Sequence, residues 1–287
     1  MRKKNASCVR WERHGMKMTL KNKLLFPCSI GGLQMHLYEE RCNQNGCPMK
    51  IVKYIDNRNI MVEFQDEYKA KVKTSYSNFK RGIVRNPYYP TVCGVGISGN
   101  KYPIVKNGQQ AREYDIWLRI LNRCFNDELK KKQPTYQDVT CCDEWLYYEK
   151  FYEWLHNQEN FDKWRSCSRW AVDKDIFIKR NKVYSPEMCC LVPQNVNCLF
   201  LKREAERGKY PIGVRYRDGR YLAVCRNPFL DKAVELGYYS TPEKAFQAYK
   251  SYKEDIIKQV AKIEYEKGNI TKKCYEAMMN YEVEIDD

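Results

Sequence analysis

The chain has very little histidine: only His14, His36 and His156 occur among its 287 residues. Histidine is the most frequent general base near neutral pH and a frequent ligand of transition metals. Motifs that need two or more histidines close together in the sequence are therefore excluded. Any enzyme built on this chain would have to find its base elsewhere.

Long apolar segments are also missing. No run approaches the roughly 20 apolar residues that a membrane-spanning helix needs. Met1 to Lys4 lead into polar residues rather than into the apolar centre of a signal peptide. We therefore expect a protein of the cytoplasm with no membrane partner.

Cysteine is abundant, with 14 residues, but no Cys-x-x-Cys pair occurs. The one ligand-like spacing is Cys42-x4-Cys47, which Cys28 or His36 could complete, so Cys42 and Cys47 are candidate metal ligands. Most other cysteines lie in apolar segments such as 189–192. That setting indicates buried free thiols in a reducing compartment.

Positive charge is in excess and is unevenly distributed. Lys and Arg number 51 against 36 Asp and Glu, a net charge of +15. Residues 1–110 hold 20 basic and 7 acidic residues, whereas residues 111–200 hold 14 of each. This distribution favours a polyanionic partner, and nucleic acid above all. A basic protein that binds no nucleic acid remains the alternative.

The N-terminal third divides into a charged arm, residues 1–16, and a basic β-rich module, residues 17–97. Apolar and polar residues alternate over 49–54 and again over 60–64, which predicts four or five short strands in a small barrel. Its basic edge, where DNA phosphates would bind, comprises Lys69, Lys71, Lys73, Lys80, Arg81 and Arg85. Interleaved tyrosines could stack on a nucleic acid or fill the core of the module.

Residues 98–207 show helical spacing followed by short strands. Aromatic residues recur at helical intervals over 111–126, and a second helix is expected to begin at Asp143 as its cap. The pattern beyond Trp164 predicts a strand over 170–178, a second segment over 181–186, a strand over 189–192 and a helix from Gln194. We expect the aromatics to form a core.

The C-terminal third predicts a three-stranded antiparallel sheet backed by a helix. Asp218-Gly219 is a strong hairpin-turn signal, and the segment 240–243 has the pattern of a capping box. Side chains alternate between the two faces of a strand, so one face collects arginines. Those arginines are Arg215, Arg217, Arg220 and Arg226. Such a face can enter a major groove, where arginine pairs with guanine.

The segment GVRYRDGRYLAV, followed by ELGYYSTPEKAFQAY, resembles the Apetala/ethylene-response-factor DNA-binding domain. The resemblance covers residues 210–253, within a predicted domain 208–260 that precedes an acidic helix or tail, 261–287. It implies that Arg215, Arg217 and Arg226 contact DNA. The turn is one residue shorter than in the family and lacks its tryptophan, and Glu235 replaces another. The base preference of the plant members therefore does not carry over.

In bacteriophages such a domain often follows an HNH homing-endonuclease core, which the middle region resembles over about 114–200. The matching segments are 172–175, 184–187 and 191–197. HNH chemistry needs a histidine base and a divalent metal. Here Lys174 follows Asp173 where the family has histidine. Asp173, Asp175, Asn195 and Asn197 could hold Mg²⁺, but without the base we expect little hydrolysis.

Together these patterns predict a multi-domain α+β protein with a degenerate ββα centre. The expected function is that of a phage accessory protein that binds duplex DNA in the cytoplasm of a bacterial host and is catalytically inactive, without a cofactor. One alternative is an active HNH nicking endonuclease, which would require Mg²⁺. Another is an anti-defence inhibitor that binds a host nuclease or nucleoprotein complex.

Overall fold

A computed structural model describes residues 36–167, 169–201 and 209–285 of the protein. Helices and several small sheets follow one another along these residues, which confirms a mixed α and β fold. None of the helices in these ranges is both long and apolar enough to cross a bilayer. The predicted arm 1–16, together with His14 and Cys28, lies outside the described residues. The division into domains remains a prediction.

An antiparallel sheet begins the described chain, with strands in sequence order and one short helix after them. The elements are β1 (Glu40–Cys42), β2 (Pro48–Asp56), β3 (Asn59–Phe64), β4 (Lys71–Thr74) and α1 (Tyr76–Lys80). The predicted alternation holds along β3 and in the first half of β2, where every second residue is buried in one small core. Beyond Ile51 the pairing register shifts and no residue of β2 is buried. The core residues on these strands are Met49, Ile51, Ile60, Val62 and Phe64.

The predicted barrel does not form among the described residues. β1 pairs with β2 and β4 with β3, so β1 and β4 are the two edges of an open sheet. Phe79 of α1 is fully buried in the same core, so a helix covers the apolar face. Because this cover already removes the face from water, the strands gain no further apolar burial by closing into a barrel.

The central region is mainly helical and is built around large aromatic side chains. Its elements are β5 (Val105–Lys106), β6 (Gln109–Gln110), α2 (Arg112–Phe125), α3 (Asp127–Lys132), β7 (Thr140–Cys141), α4 (Tyr148–His156) and α5 (Phe161–Ser166). Trp117, Trp145 and Trp164 are buried at its centre. This confirms the helix expected over 111–126 and the assignment of its aromatics to a core.

The second predicted helix does not start at Asp143. Residues 143–146 form a short 3-10 turn, and α4 begins at Tyr148 after an extended Tyr147. There the N–H of Tyr148 donates to the carbonyl of Ile97, 2.9 Å away. This contact with a segment distant in sequence interrupts the helix that the local spacing predicts.

Three short strands and a short helix follow in the expected order. They are β8 (Trp170–Asp173), β9 (Val183–Tyr184), β10 (Cys190–Pro193) and α6 (Gln194–Asn197); β8 pairs with β10, and β9 pairs in parallel with β7. β8 stops at Asp173, five residues earlier than predicted. The reason is that the carboxylate of Asp173 accepts hydrogen bonds from the N–H groups of Asp175 and Ile176, which turns the chain.

The C-terminal part matches its prediction most closely. It contains β11 (Val214–Arg217), β12 (Arg220–Asn227), β13 (Lys232–Tyr239), α7 (Pro242–Glu266) and α8 (Lys272–Met279). The expected capping box over 240–243 is displaced by one residue: the N-cap is Thr241 rather than Ser240, its hydroxyl accepts from the N–H of Lys244, and Pro242 occupies the first turn. The first half of α7 covers the sheet, while Ile256, Ile257 and Val260 pack against β10 and α6. One helix therefore contributes to both cores.

Candidate nucleic-acid interfaces

The β11–β12 hairpin closes through Asp218 and Gly219, whose φ values are +53° and +76°. Positive φ at both central residues is the backbone of a type I′ turn, whose twist matches that of the flanking strands. The turn sets the register in which Arg215 faces Leu222 and Arg217 faces Arg220. Arginines on neighbouring strands therefore point to the same side.

The other side of this sheet is its core face. Val214 and Ala223 are opposite one another and buried against α7. Gly213, at φ +76°, lies flat on the ring of Tyr249, where a Cβ would come within 2.0 Å of Cδ2. Glycine is required there by both the backbone angle and the contact. Because α7 covers this core face, the opposite face of the sheet, which carries the arginines, is directed to solvent.

We call this outer surface the arginine face: Arg215, Arg217, Arg220 and Arg226, all of them exposed. Leu222, which parity also places on it, is only 2% exposed. It lies between Arg215 and Tyr238 on the neighbouring strands, at a spacing where cross-strand side chains touch. The centre of the face is thus apolar and its periphery cationic.

The four arginines differ in their partners. Arg217 lies 3.3 Å from Glu235, Arg226 lies 2.6 Å from Asp231, and Arg220 stacks over the ring of Tyr238 at 4.9 Å. In the described part of the chain, Arg215 makes no ion pair. Exposed pairs contribute only about 0–1 kcal/mol, so a phosphate or base could replace these carboxylates.

The predicted basic edge of the N-terminal module is solvent-exposed at every position: Lys69, Lys71, Lys73, Lys80, Arg81 and Arg85. Lys71 and Lys73 leave the same face of the edge strand β4, and Lys71 lies 3.5 Å from Glu63. Two of the interleaved tyrosines are used for packing: Tyr68 stacks on Tyr88 with 4.2 Å between ring centres. Tyr68 nevertheless remains 40% exposed and Tyr89 36% exposed, so both cations and rings face solvent on this module.

Cys42 and Cys47 flank a turn that Asn43 organises, since its side-chain oxygen accepts hydrogen bonds from the backbone of Asn45 and Cys47. His36, their proposed partner, packs on Tyr76 and lies 3.4 Å from Glu39. Within residues 36–167, 169–201 and 209–285, no group of three His, Cys, Asp or Glu side chains is placed to hold a metal.

Four of the five predicted nuclease residues line one cleft of about 770 Å³: Asp173, Lys174, Asp175 and Asn197. Lys174 does not point outward as a free cation: its Nζ donates to Asp175 at 2.7 Å and to the carbonyl of Asn181 at 2.6 Å. Asn195 points elsewhere and donates to Glu264 of α7, 3.2 Å away.

No histidine lines this cleft in the described ranges. His156 lies in the helical core, 3.4 Å from Glu113 and stacked on Tyr152. Burial lowers the pKa of His156, so the neutral ring is favoured there. The histidine base of HNH chemistry therefore has no counterpart among the residues that line the cleft.

Comparison with known proteins adds no relative. No family model, no curated protein and no solved structure matches the chain. The resemblances to the Apetala-type and HNH domains rest on the sequence motifs alone.

Sequence reasoning missed part of the cleft. Arg119 and Arg123, one helical turn apart on α2, line it together with Lys182 from the loop before β9. The spacing of the two arginines indicates a shared helix face, and residues 179–182 read Lys-Arg-Asn-Lys. Both signals are visible in the sequence, but only the fold brings them together.

The buried carboxylate of Asp173 gives a testable pH effect. Burial raises its pKa from 3.8 to about 6. Between pH 3.8 and about pH 6, Asp173 is protonated in the folded chain but ionised in the unfolded chain. The resulting contribution to the free energy of unfolding is present at low pH and is lost as the pH rises through about 6. Asp173→Asn keeps the acceptor oxygen but carries no charge.

We expect Asp173→Asn to gain about 1 kcal/mol of stability relative to the native chain when the pH is raised from 5 to 7.5. Urea unfolding of both proteins at the two pH values measures this change. An Asn substitution elsewhere on the surface, at Asp127, is the control and should show no such change. A difference for Asp173→Asn that is independent of pH would contradict the assignment of a raised pKa.

Proposed function

We propose that this protein binds duplex DNA and reads it with the arginine face of its C-terminal sheet. The observation that carries the proposal is the placement of four exposed arginines on one side of β11–β13 while α7 covers the other. A small antiparallel sheet fits a major groove, and arginine donates two hydrogen bonds to the O6 and N7 atoms of guanine.

The basic edge of the N-terminal module supplies the second part of the proposal. Its exposed lysines and arginines suit contacts to phosphates, which hold a protein on DNA without selecting a sequence. Together with the resemblance to phage homing endonucleases, this suggests an accessory protein that holds DNA without cutting it. Lys174, bound to Asp175, stands where the nuclease family has its histidine.

Selection from a pool of random duplexes, with and without Mg²⁺, tests this proposal. We expect enrichment of one motif that contains guanines, equal enrichment in both conditions, and uncut DNA throughout. The matched variant Arg215→Ala should lose the enrichment while still retaining DNA at low salt. Lys131→Ala, a change of an exposed residue in α3, is the control and should select the same motif.

Two results would contradict the proposal. If nothing is enriched and no duplex is retained, the chain does not recognise DNA, and the role of an inhibitor that binds a host protein gains support. If DNA is cut with Mg²⁺ and Asp173→Ala abolishes the cutting, the cleft is a working nuclease site.

A further inference from the structure

The cleft beside β8 is a concave feature that the proposed function leaves unused. Its walls come from α2, from residues 135–139, from the loop 174–184, and from the segment that follows β10. A volume of about 770 Å³ is within the range of small-ligand sites, about 300–1,000 Å³. A cleft of this size admits a nucleotide or a short part of one strand, but not a double helix.

Positive charge dominates the lining. The basic residues are Arg119, Arg123, Lys174, Lys179, Arg180 and Lys182, against two carboxylates, Asp173 and Asp175. Both carboxylates are already engaged, Asp173 by backbone N–H groups and Asp175 by Lys174. Among the other cations, Arg119 has a partner outside the lining: it lies 2.8 Å from Asp115 on the same helix, in an exposed pair that an entering phosphate could replace.

Arg123 is the most informative of these cations. Its Nη1 donates to the phenol of Tyr184 at 3.0 Å, and its guanidinium lies 5.6 Å from the ring centre of Tyr136. Both partners are neutral, and in the described chain no carboxylate pairs with Arg123. A half-buried guanidinium held in place by neutral groups is well suited to bind an anion that enters the cleft.

An anion of the chain itself already lies at the edge of the cleft. The carboxylate of Glu284 is 3.3 Å from Lys179 and 3.2 Å from Arg180, and both of these cations belong to the cleft wall. Glu284 is about half exposed, so this contact is open to exchange with another anion. The wall thus attracts a negatively charged group.

Aromatic rings complete the lining. Tyr136, Trp170 and Phe200 are partly buried there, beside the cations. A basic groove that also offers aromatic rings is the arrangement that binds single strands, because phosphates contact the cations while the bases stack. An acidic peptide would use the charge but would leave the rings without a matching group.

We infer that this cleft binds single-stranded nucleic acid, with phosphates on Arg119, Arg123 and Lys182 and with bases against Tyr136 and Trp170. The cleft and the arginine face are separate surfaces. The inference therefore goes beyond the proposed function and does not depend on it.

Fluorescence anisotropy with a labelled oligothymidylate and with a labelled duplex, at low salt, tests this inference. The variant that combines Arg119→Gln with Lys182→Gln changes two exposed side chains and should leave the fold intact. We expect it to bind the single strand about tenfold more weakly and the duplex within about twofold of the native chain. Lys272→Gln, an exposed lysine of α8 outside the cleft, should change neither affinity.

The arginine face supplies the reciprocal control. Arg215→Ala should weaken duplex binding and leave oligothymidylate binding unchanged, so that failure of either proposal can be recognised separately. Single-strand affinity that stays at the native value in the double variant would overturn the inference. An equal loss on single strand and duplex would also overturn it, because the cleft would then be part of a general basic surface.

Discussion

Raising the salt concentration from about 50 to 200 mM should weaken binding to duplex DNA by roughly three to five decades. That loss corresponds to six to ten phosphate contacts, because each contact releases condensed counterions from the DNA. The chain has enough exposed cations for this number: six on the basic edge and four on the arginine face. The excess of positive charge over residues 1–110 points the same way.

Titrations at several salt concentrations measure the effect as the slope of log affinity against log salt. Changing Lys71 and Lys73 together to glutamine should reduce that slope by about two, at about 0.9 per phosphate contact. Lys131→Gln, which alters an exposed lysine already paired with Glu128, should leave it unchanged. A slope near zero for the native chain would mean that its charge does not bind phosphates.

The sequence predicted the C-terminal region well because its signals are local. Asp218 and Gly219 require only their own backbone angles to close the hairpin, and Thr241 with Pro242 starts α7 through contacts within one turn. Period-two alternation then placed the arginines on one face. Each of these features is decided by residues within a few positions of one another.

Predictions that depended on distant contacts were less accurate. α4 begins later than its spacing suggests because Tyr148 binds the carbonyl of Ile97. The N-terminal sheet stays open in the described residues because Phe79 of α1 covers its face. The cleft joins Arg123 of α2 to Tyr184 of β9, 61 positions apart in the chain. A pattern read within a short window contains no information about such pairs.

Among the four arginines, Arg215 should contribute most to sequence reading. Arg215 makes no ion pair within the described residues. To contact a base, by contrast, Arg217 must break its ion pair with Glu235, and Arg226 must break its ion pair with Asp231. We therefore expect Arg215→Ala to weaken binding to the preferred duplex by about 1–3 kcal/mol, with a smaller loss for Arg217→Ala. Arg215→Lys keeps the charge but lacks the planar fork that pairs with guanine.

The most direct test of sequence reading by the arginine face is a paired titration of each variant, on the selected duplex and on a scrambled duplex. Arg215→Ala and Arg215→Lys should lose affinity mainly on the selected duplex, so that the ratio of the two affinities falls toward one. Arg81→Ala, in the N-terminal module, should weaken both duplexes by the same factor and preserve the ratio. If Arg215→Ala instead leaves the ratio unchanged, the face does not read sequence.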